Sequence, residues 1–235
     1  MKPYLNAYFA NPSSRYRYGI DARKAVETAR RQVAELLGAS PEEIIFTSGG
    51  SESDNHALKG VAFALKSKGN HLIVSTIEHP AILEVCIWLE KQGFRVSYLP
   101  VDTGCRVDVS AFERLVTPQT ILVSVMHANN EVGTLQPIAE LSALAHRYGI
   151  LFHTDAAQSA GKIPVDVNQL GVDLLTLAGH KLYAPKGIGA LYIRKGVVLD
   201  NLIHGAGQQH NLRAGTENLL EIVGFRKAAE IARRD

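Results

Sequence analysis

Cysteine, charge of one sign and long apolar runs are all scarce in this sequence, and each absence excludes a class of protein. The two cysteines, Cys86 and Cys105, are too few for a disulfide framework, and no CxxC pair or histidine-rich cluster indicates a metal site. No stretch approaches the roughly 20 apolar residues of a membrane span, and MKPYLNAYFA is too short an apolar run for a signal peptide. The net charge is +2 without a basic arm, so neither nucleic acid nor an anionic membrane is an expected partner. We therefore expect a cytoplasmic protein.

The chain does contain a regular alternation of strand-like and helix-like segments. Strands are expected at 44–46, 71–75, 95–99, 120–126, 150–155, 173–178 and 189–194. Helices are expected at 21–37, 51–68, 81–92, 109–116, 137–148 and 217–233. Several strands are continuous apolar runs, as in parallel strands that helices cover on both faces. The sequence therefore predicts an α/β fold, with a mostly parallel open sheet covered by helices on both faces, formed by residues 1–235 as one domain.

Ligands of such sheets bind at the carboxyl ends of the strands, so the residues that follow each strand form the candidate site. The first strand is followed by SGGSESDN, residues 48–55. Its two glycines allow close approach of the backbone, and the next helix presents unpaired N–H groups. The segment is either a phosphate cradle or a tight turn with a capping serine, and by itself it favours neither.

Four further strand ends carry polar side chains. His79 in IEHP could stack on a flat ligand, and Asn130 in HANNEVG offers an amide, although both residue types are common in ordinary loops. Asp155 follows ILFHT, where a carboxylate needs a positively charged partner. Lys181 follows the apolar strand LLTLA, where desolvation would make its amine nucleophilic, unless the loop is exposed. Together these groups suit an aldehyde cofactor that needs a lysine, an acid for a ring nitrogen and a phosphate anchor.

Six blocks along nearly the whole chain carry a family resemblance. In order they are SGGSESDN, IEHPA, HANNEVGTLQPI, FHTDAAQSAGKIPVDV, GHKLYAPKGIGALYIRKG and HGAGQQHNLRAGTEN. These blocks resemble the NifS/IscS-type cysteine desulfurases, which are class V aminotransferase-like, fold-type I pyridoxal-phosphate enzymes. The resemblance implies that L-cysteine is converted to L-alanine and that the sulfur is left as a persulfide on an enzyme cysteine. It also implies a homodimer and a sulfur acceptor such as an iron–sulfur scaffold protein.

The resemblance implies roles around the pyridine ring of pyridoxal 5'-phosphate. Lys181 would bind the cofactor covalently and later move protons on the substrate. Asp155 would pair with the pyridinium nitrogen, and His79 would stack on the ring and act as an acid or base. Gln158 and Asn130 would lie near the phenolic oxygen, with Asn130 also close to the substrate carboxylate.

The resemblance also implies a set of phosphate-binding residues. Gly50, Ser51 and His180 would hold the phosphate, and Thr216 in RAGTEN would reach the phosphate of the partner subunit. Ala178 departs from the family pattern, because a serine or threonine hydroxyl usually contacts the phosphate there. The loss of one hydrogen bond to a charged group costs roughly 1.5–3 kcal/mol, so weaker cofactor binding is expected.

The chain departs from the family pattern at both ends as well. It starts at MKPYLNAYFANPSS, after the DNNATT-like segment of the family, and stops in the helix that follows RAGTEN. The expectation is a large cofactor domain with an incomplete N-terminal segment and without the small C-terminal domain, which carries the persulfide cysteine and the arginine for the substrate carboxylate. Neither Cys86, in the apolar pattern AILEVCIWL, nor Cys105, in the turn VDTGCRVD, matches that cysteine.

Three functions therefore remain open at this level. The first is a cysteine desulfurase whose cofactor site is intact. The second is a truncated, inactive fragment that binds pyridoxal phosphate weakly or serves only as an interaction surface. The third is another class V chemistry, such as selenocysteine cleavage or transamination.

Overall fold

A computed structural model of the chain describes residues 1–234, and seven strands form a single sheet within them. The strands are β1 (Ile44–Thr47), β2 (His71–Ser75), β3 (Arg95–Leu99), β4 (Thr120–Ser124), β5 (Leu151–Asp155), β6 (Leu174–Ala178) and β7 (Gly189–Ile193). Every predicted strand is present, with bounds that agree within two residues. All but β3 are almost wholly buried, as their continuous apolar runs predict.

The spatial order of the strands is β1-β7-β6-β5-β4-β2-β3, and the sheet is mixed. The pairs formed by β2 with β3, β2 with β4, β4 with β5 and β5 with β6 are parallel, whereas β7 runs antiparallel to both of its neighbours. The connection of residues 179–188 between β6 and β7 is shorter than the dozen residues that a parallel crossover requires. The predicted mostly parallel α/β sheet is confirmed, and β7 is the strand that reverses.

Eight helices accompany the sheet in the described part of the chain. They are α1 (Lys2–Asn6), α2 (Arg17–Leu37), α3 (Gly50–Ala64), α4 (Pro80–Lys91), α5 (Val109–Leu115), α6 (Ile138–Arg147), α7 (Val167–Leu170) and α8 (Leu219–Arg234). Residues of α2, α5, α6 and α8 share one apolar core with one face of the sheet, and α3 and α4 pack on the other face. Within residues 1–234, no helix combines the length and apolar character that crossing a membrane requires.

Helix bounds differ from the predicted ones where local hydrogen bonds end a periodic pattern early. The third helix ends at Ala64 rather than at residue 68, because the backbone of Lys66 bonds to Phe63 and that of Lys68 bonds to Leu65 in successive turns. The last helix begins at Leu219 rather than at residue 217. The short helices α1 and α7 were not predicted, and both are too short to produce a periodic pattern.

A buried arginine ties the long helix α2 to the edge strand β1. Arg30 is only 2% exposed, and its guanidinium donates to the carbonyl oxygen of Ile44 and to Oε1 of Gln209. The same Gln209 oxygen also accepts from the backbone N–H of Phe46. This contact holds a loop in which Gln209, His210 and Asn211 all adopt left-handed backbone angles.

Candidate functional site

A cavity of about 240 Å³ lies at the carboxyl ends of β4, β5 and β6, beside the first turn of α3. Its lining residues are Gly50, Ser51, Asp54, His79, Met126, Ala128, Asn130, Asp155, Ala157, Gln158, Ala178, His180 and Lys181. All of the site residues predicted from the sequence are among them except Thr216. In particular, Lys181 and Asp155 face the same cavity, which is the arrangement on which the sequence prediction depends.

The first turn of α3 forms one wall of the cavity and is built by glycines. Gly49 precedes the helix with φ 155°, and a Cβ atom on Gly50 would lie 3.3 Å from the Cβ of Ala178. A Cβ atom on Gly189 of β7 would approach the backbone of Gly49 to 2.7 Å, so the strand and the turn are in direct contact. The helix therefore starts at the cavity, where its unpaired N–H groups and positive dipole end favour an anion.

Asp155 is the last residue of β5 and lies opposite Thr176 of β6. Its side chain is 7% exposed, and Oδ1 accepts a 2.9 Å hydrogen bond from the backbone N–H of Ala157. Burial raises the pKa of Asp155, while the Ala157 N–H, His79 and Lys181 act in the opposite direction. A cationic group in the cavity would favour the ionised carboxylate further.

Lys181 lies in a short 3₁₀ helix, Gly179–Leu182, that directly follows β6. A Cβ atom on Gly179 would approach the carbonyl oxygen and Cγ2 of Ile188 to 2.8 Å, so the tight turn requires glycine. The next residue after the turn, Tyr183, has φ 62° and is 93% exposed. Lys181 itself is half-buried and lines the cavity.

The remaining predicted polar residues surround the cavity from loops. His79 caps α4: its Nδ1 accepts from the N–H of Ala81 at 3.1 Å, so a neutral ring carries its proton on Nε2. The amide of Asn130 donates to Oε1 of Glu131 at 2.7 Å. Gln158 accepts from Nζ of Lys162 at 3.1 Å. These side chains are partly or largely exposed and can turn towards a ligand.

A buried polar layer under the cavity was not predicted from the sequence. His153 is fully buried, with Nδ1 2.8 Å from Ser124 Oγ and Nε2 3.1 Å from Thr176 Oγ1. Asp54 is 1% exposed, and its Oδ1 lies 3.8 Å from His153 Nε2 without a hydrogen-bond partner. Burial lowers the pKa of His153 to about 3 and raises that of Asp54, which Asp155 raises further. Burial thus disfavours the charged form of both groups in this close contact.

Two sequence spacings could have revealed this layer. His153 and Asp155 are two residues apart on one strand, so both side chains point to the same face of the sheet. Asp54 follows Gly50 by one helical turn, so it shares the face of α3 that contains the cradle.

Thr216 lies outside the cavity that Lys181 and Asp155 share, in the loop that precedes α8. It is exposed and lines a second cavity of about 170 Å³ together with Ser48, Gly187 and Arg213. Arg213 forms an ion pair with Glu52 of α3, with a Nε–Oε1 distance of 2.7 Å. This ion pair anchors the Thr216 loop to α3, whose first turn faces the cavity that contains Lys181 and Asp155.

Neither cysteine lines the cavity that Lys181 and Asp155 share. Cys86 is fully buried in α4, as its apolar sequence pattern predicts, and burial raises the pKa of its thiol to about 12. Cys105 is half-buried in a turn, with φ 59°.

Comparison with known sequences places this fold and cavity in a family. The sequence profile described as aminotransferase class-V matches residues 1–234. A protein named cysteine desulfurase IscS from Dictyoglomus turgidum is 56% identical over 232 residues, which are 99% of this chain and 59% of that protein. A protein of the same name from Methanosarcina thermophila is 53% identical over 99% of this chain and 57% of its own length. The chain thus spans less than two thirds of these relatives.

Solved structures give the same result for the fold. A structure titled NifS-like protein matches with a TM-score of 0.97 and 43% identity, over 99% of this chain and 64% of that one. A structure titled SspA in complex with cysteine matches with a TM-score of 0.94 and 45% identity, over 97% of this chain and 67% of that one. The mixed sheet flanked by helices is therefore the fold of the NifS-like proteins.

Proposed function

The chain belongs to the aminotransferase class V family, and from that membership we propose that it forms the pyridoxal-phosphate site of a cysteine desulfurase. One observation carries the proposal: Lys181, Asp155 and the first turn of α3 meet in a single cavity. A lysine amine, a buried acid and an anion-binding helix terminus are the three groups that this cofactor requires of a protein. The names of the relatives support cysteine as the substrate.

The residues present fit the cofactor by their donor chemistry. Asp155 is buried with a raised pKa, so a protonated ring nitrogen would supply the positive partner that the carboxylate needs. Because Gly50 has no side chain, no Cβ atom occupies the cavity at this point, and an anion can approach the backbone there. Ser51 and His180 add side-chain donors at the same end. These residues would hold the phosphate.

The proposed roles of the side chains follow from their positions. When bound, pyridoxal phosphate supplies an aldehyde for an amine and a ring that stabilises negative charge next to the substrate α-carbon. Lys181 is the one amine among the lining residues, so Nζ takes the α-proton and returns it. Asp155 keeps a proton on the ring nitrogen, and His79 presents Nε2–H to the cavity as a donor.

The overall reaction would move the cysteine sulfur to a thiol. The carbon–sulfur bond of L-cysteine breaks, a protein thiol takes the sulfur and becomes a persulfide, and alanine leaves with the proton of that thiol. Cys86 is unsuited to this role because it is fully buried in a helix. We further propose a cytoplasmic homodimer in which the exposed Thr216 contacts the phosphate of the partner subunit, and an iron–sulfur scaffold protein as a sulfur acceptor.

Covalent labelling of the cofactor lysine tests the proposal. Purified protein mixed with pyridoxal phosphate should develop a visible absorbance band, and borohydride reduction should add the cofactor mass to the peptide that contains Lys181. Lys181→Ala should abolish both signals. Lys186→Ala is the matched control, because Lys186 is exposed on the same loop and is not part of the cavity lining, and it should keep both signals. A reduced adduct of equal yield in Lys181→Ala would refute the proposal.

The substrate is tested with the same absorbance band. L-cysteine should shift the band, because its amine displaces Nζ of Lys181 from the cofactor aldehyde. L-serine, which carries a hydroxyl in place of the thiol, is the control for simple amine exchange. Little or no alanine should form from cysteine with an added reductant, because neither Cys86 nor Cys105 matches the persulfide cysteine that the resemblance implies. A cofactor band that L-cysteine does not shift would contradict the desulfurase assignment.

A further inference from the structure

Glu78 is a buried carboxyl group that the proposed chemistry does not use. It is 5% exposed and follows β2 by three residues. Its Oε1 accepts two hydrogen bonds, one from the hydroxyl of Ser75 and one of 2.7 Å from the backbone N–H of Met126. Met126 lines the cavity, so the hydrogen bonds of Glu78 connect the end of β2 to the cavity wall.

The second carboxyl oxygen of Glu78 has no hydrogen-bond partner although it is fully buried. Two donors meet one oxygen and none meets the other, so no hydrogen bond would stabilise a negative charge on the second oxygen. Asp155 of β5 acts on Glu78, and Glu78 in turn acts on Asp54 of α3 and Cys86 of α4; all three of these neighbours are acids. Within residues 1–234, no lysine, arginine or histidine forms an ion pair with it.

The contacts of Glu78 connect the two loops that bring His79 and Asn130 to the cavity. His79 is the next residue in the chain, and Met126 begins the segment that leads to Asn130. A second link between the same loops is the 3.1 Å hydrogen bond from the amide of Asn129 to the carbonyl oxygen of Ile77. The loops are thus held at two points, and Glu78 is the one that titrates.

We propose that Glu78 is a positioning residue that acts as a neutral acid, joining the loops of His79 and Asn130, and that its ionisation at alkaline pH weakens cofactor binding. The inference rests on the proposed function for its cofactor, but not for the protonation state of Glu78. Ionisation would release the proton to solvent and leave a second buried charge beside Asp155, without a positive partner. Such a charge draws in water and separates the loops that it now joins.

The protonation state of Glu78 determines how the stability of the fold changes with pH. Burial raises the pKa of Glu78 to about 8, against the lowering effect of the Ser75 and Met126 hydrogen bonds, and the charge of Asp155 raises it further. The unfolded chain loses this proton near its ordinary value of 4.5. The folded state therefore retains a proton that the unfolded state has lost, and stability falls as pH rises from about 4.5 to about 8.

The test compares Glu78→Gln, Glu78→Ala and the parent protein by urea unfolding across pH and by cofactor titration. Glutamine reproduces the neutral acid and cannot ionise, so the unfolding equilibrium constant of the parent should rise with pH by at least about tenfold more than that of Glu78→Gln. Glu84→Gln, an exposed change on α4, should keep the slope of the parent. A Glu78→Gln variant with the slope of the parent would overturn the inference.

Cofactor affinity gives the second readout. Glu78→Gln should bind pyridoxal phosphate like the parent at neutral pH but lose less affinity above pH 8, whereas Glu78→Ala should bind at least about tenfold more weakly at every pH because Met126 N–H loses its acceptor. If glutamine weakens binding as much as alanine does, the charge is required and the inference is wrong. If no variant binds the cofactor, including the parent, the proposed function fails, while the unfolding slopes still decide the state of Glu78.

Discussion

Replacing Ala178 by serine should strengthen cofactor binding. The Cβ of Ala178 faces the first turn of α3, 3.3 Å from the point that a Cβ on Gly50 would occupy, and the residue is 3% exposed at the cavity wall. A serine oxygen at this position would face the place where the phosphate is proposed to bind. The resemblance to cysteine desulfurases also implies a hydroxyl there, so the substitution restores a missing donor.

The size of the gain follows from one hydrogen bond to a charged acceptor. Such bonds contribute about 1.5–3 kcal/mol, and each 1.4 kcal/mol is a tenfold change in affinity, so the dissociation constant should fall by about 10- to 150-fold. Serine adds a single oxygen to a cavity of about 240 Å³, so steric cost is small. Without the cofactor, the serine hydroxyl binds water. If that water is well ordered, its displacement brings the gain closer to the 10-fold end of the range.

The assay is titration of the cofactor-free protein with pyridoxal phosphate, followed by the absorbance band that depends on Lys181. Ala178→Cys is the matched control, because a thiol has a similar shape but is a weak hydrogen-bond donor. Pyridoxal, which lacks the phosphate, should bind Ala178→Ser and the parent equally. Equal affinities of the serine and cysteine variants for pyridoxal phosphate would show that the phosphate does not lie at the start of α3.

Two further predictions concern buried groups away from the ligand. Arg30→Ala should lower the free energy of unfolding by about 3 kcal/mol in a urea titration, because the Ile44 carbonyl and the Gln209 amide lose a buried donor, whereas the exposed Arg31→Ala should change it little. His153→Gln should reduce the stability lost between pH 7 and pH 4 by about 3 kcal/mol, because the pKa of His153 falls from 6.5 to about 3 on folding. An unchanged acid profile for His153→Gln would contradict a neutral ring in the folded state.

The residues of the candidate site could be grouped from the sequence because most of them follow strands. Asp155 and Lys181 each follow a strand that is a continuous apolar run, and the rule that parallel sheets bind ligands at their carboxyl edge places both at one edge. The same reasoning located Gly50 and Asn130. Thr216 follows no strand, and it is the predicted residue that lies outside the cavity.

The direction of β7 and the buried polar layer could not be predicted in the same way. A strand of five buried apolar residues has the same pattern in either direction, and only the short connection from β6 decides its reversal. His153 lies inside the run ILFHTD, and its partners Ser124 and Thr176 come from two other strands. The spacing of His153 and Asp155 indicates that they share a face of the sheet, but partners this distant in sequence are not revealed by spacing.

The two titrating groups beneath the cavity affect stability in opposite directions, and this opposition determines how each is measured. His153 makes stability fall as pH drops from 6.5 towards 3, whereas Glu78 makes it fall as pH rises from 4.5 towards 8. Asp54 and Asp155, with pKa values also raised by burial, add to the effect of Glu78. Between pH 4.5 and 6.5 the contributions of His153 and Glu78 have opposite signs, so each conceals part of the other in the parent.

Each single substitution should therefore reveal the slope of the group that remains. In this window His153→Gln should make stability decrease with rising pH, and Glu78→Gln should make it increase relative to the parent. The double variant should return a profile close to that of the parent, because His153 and Glu78 share no direct hydrogen bond in the described chain. A double variant that retained the slope of either single variant would show that the two groups titrate as one coupled network.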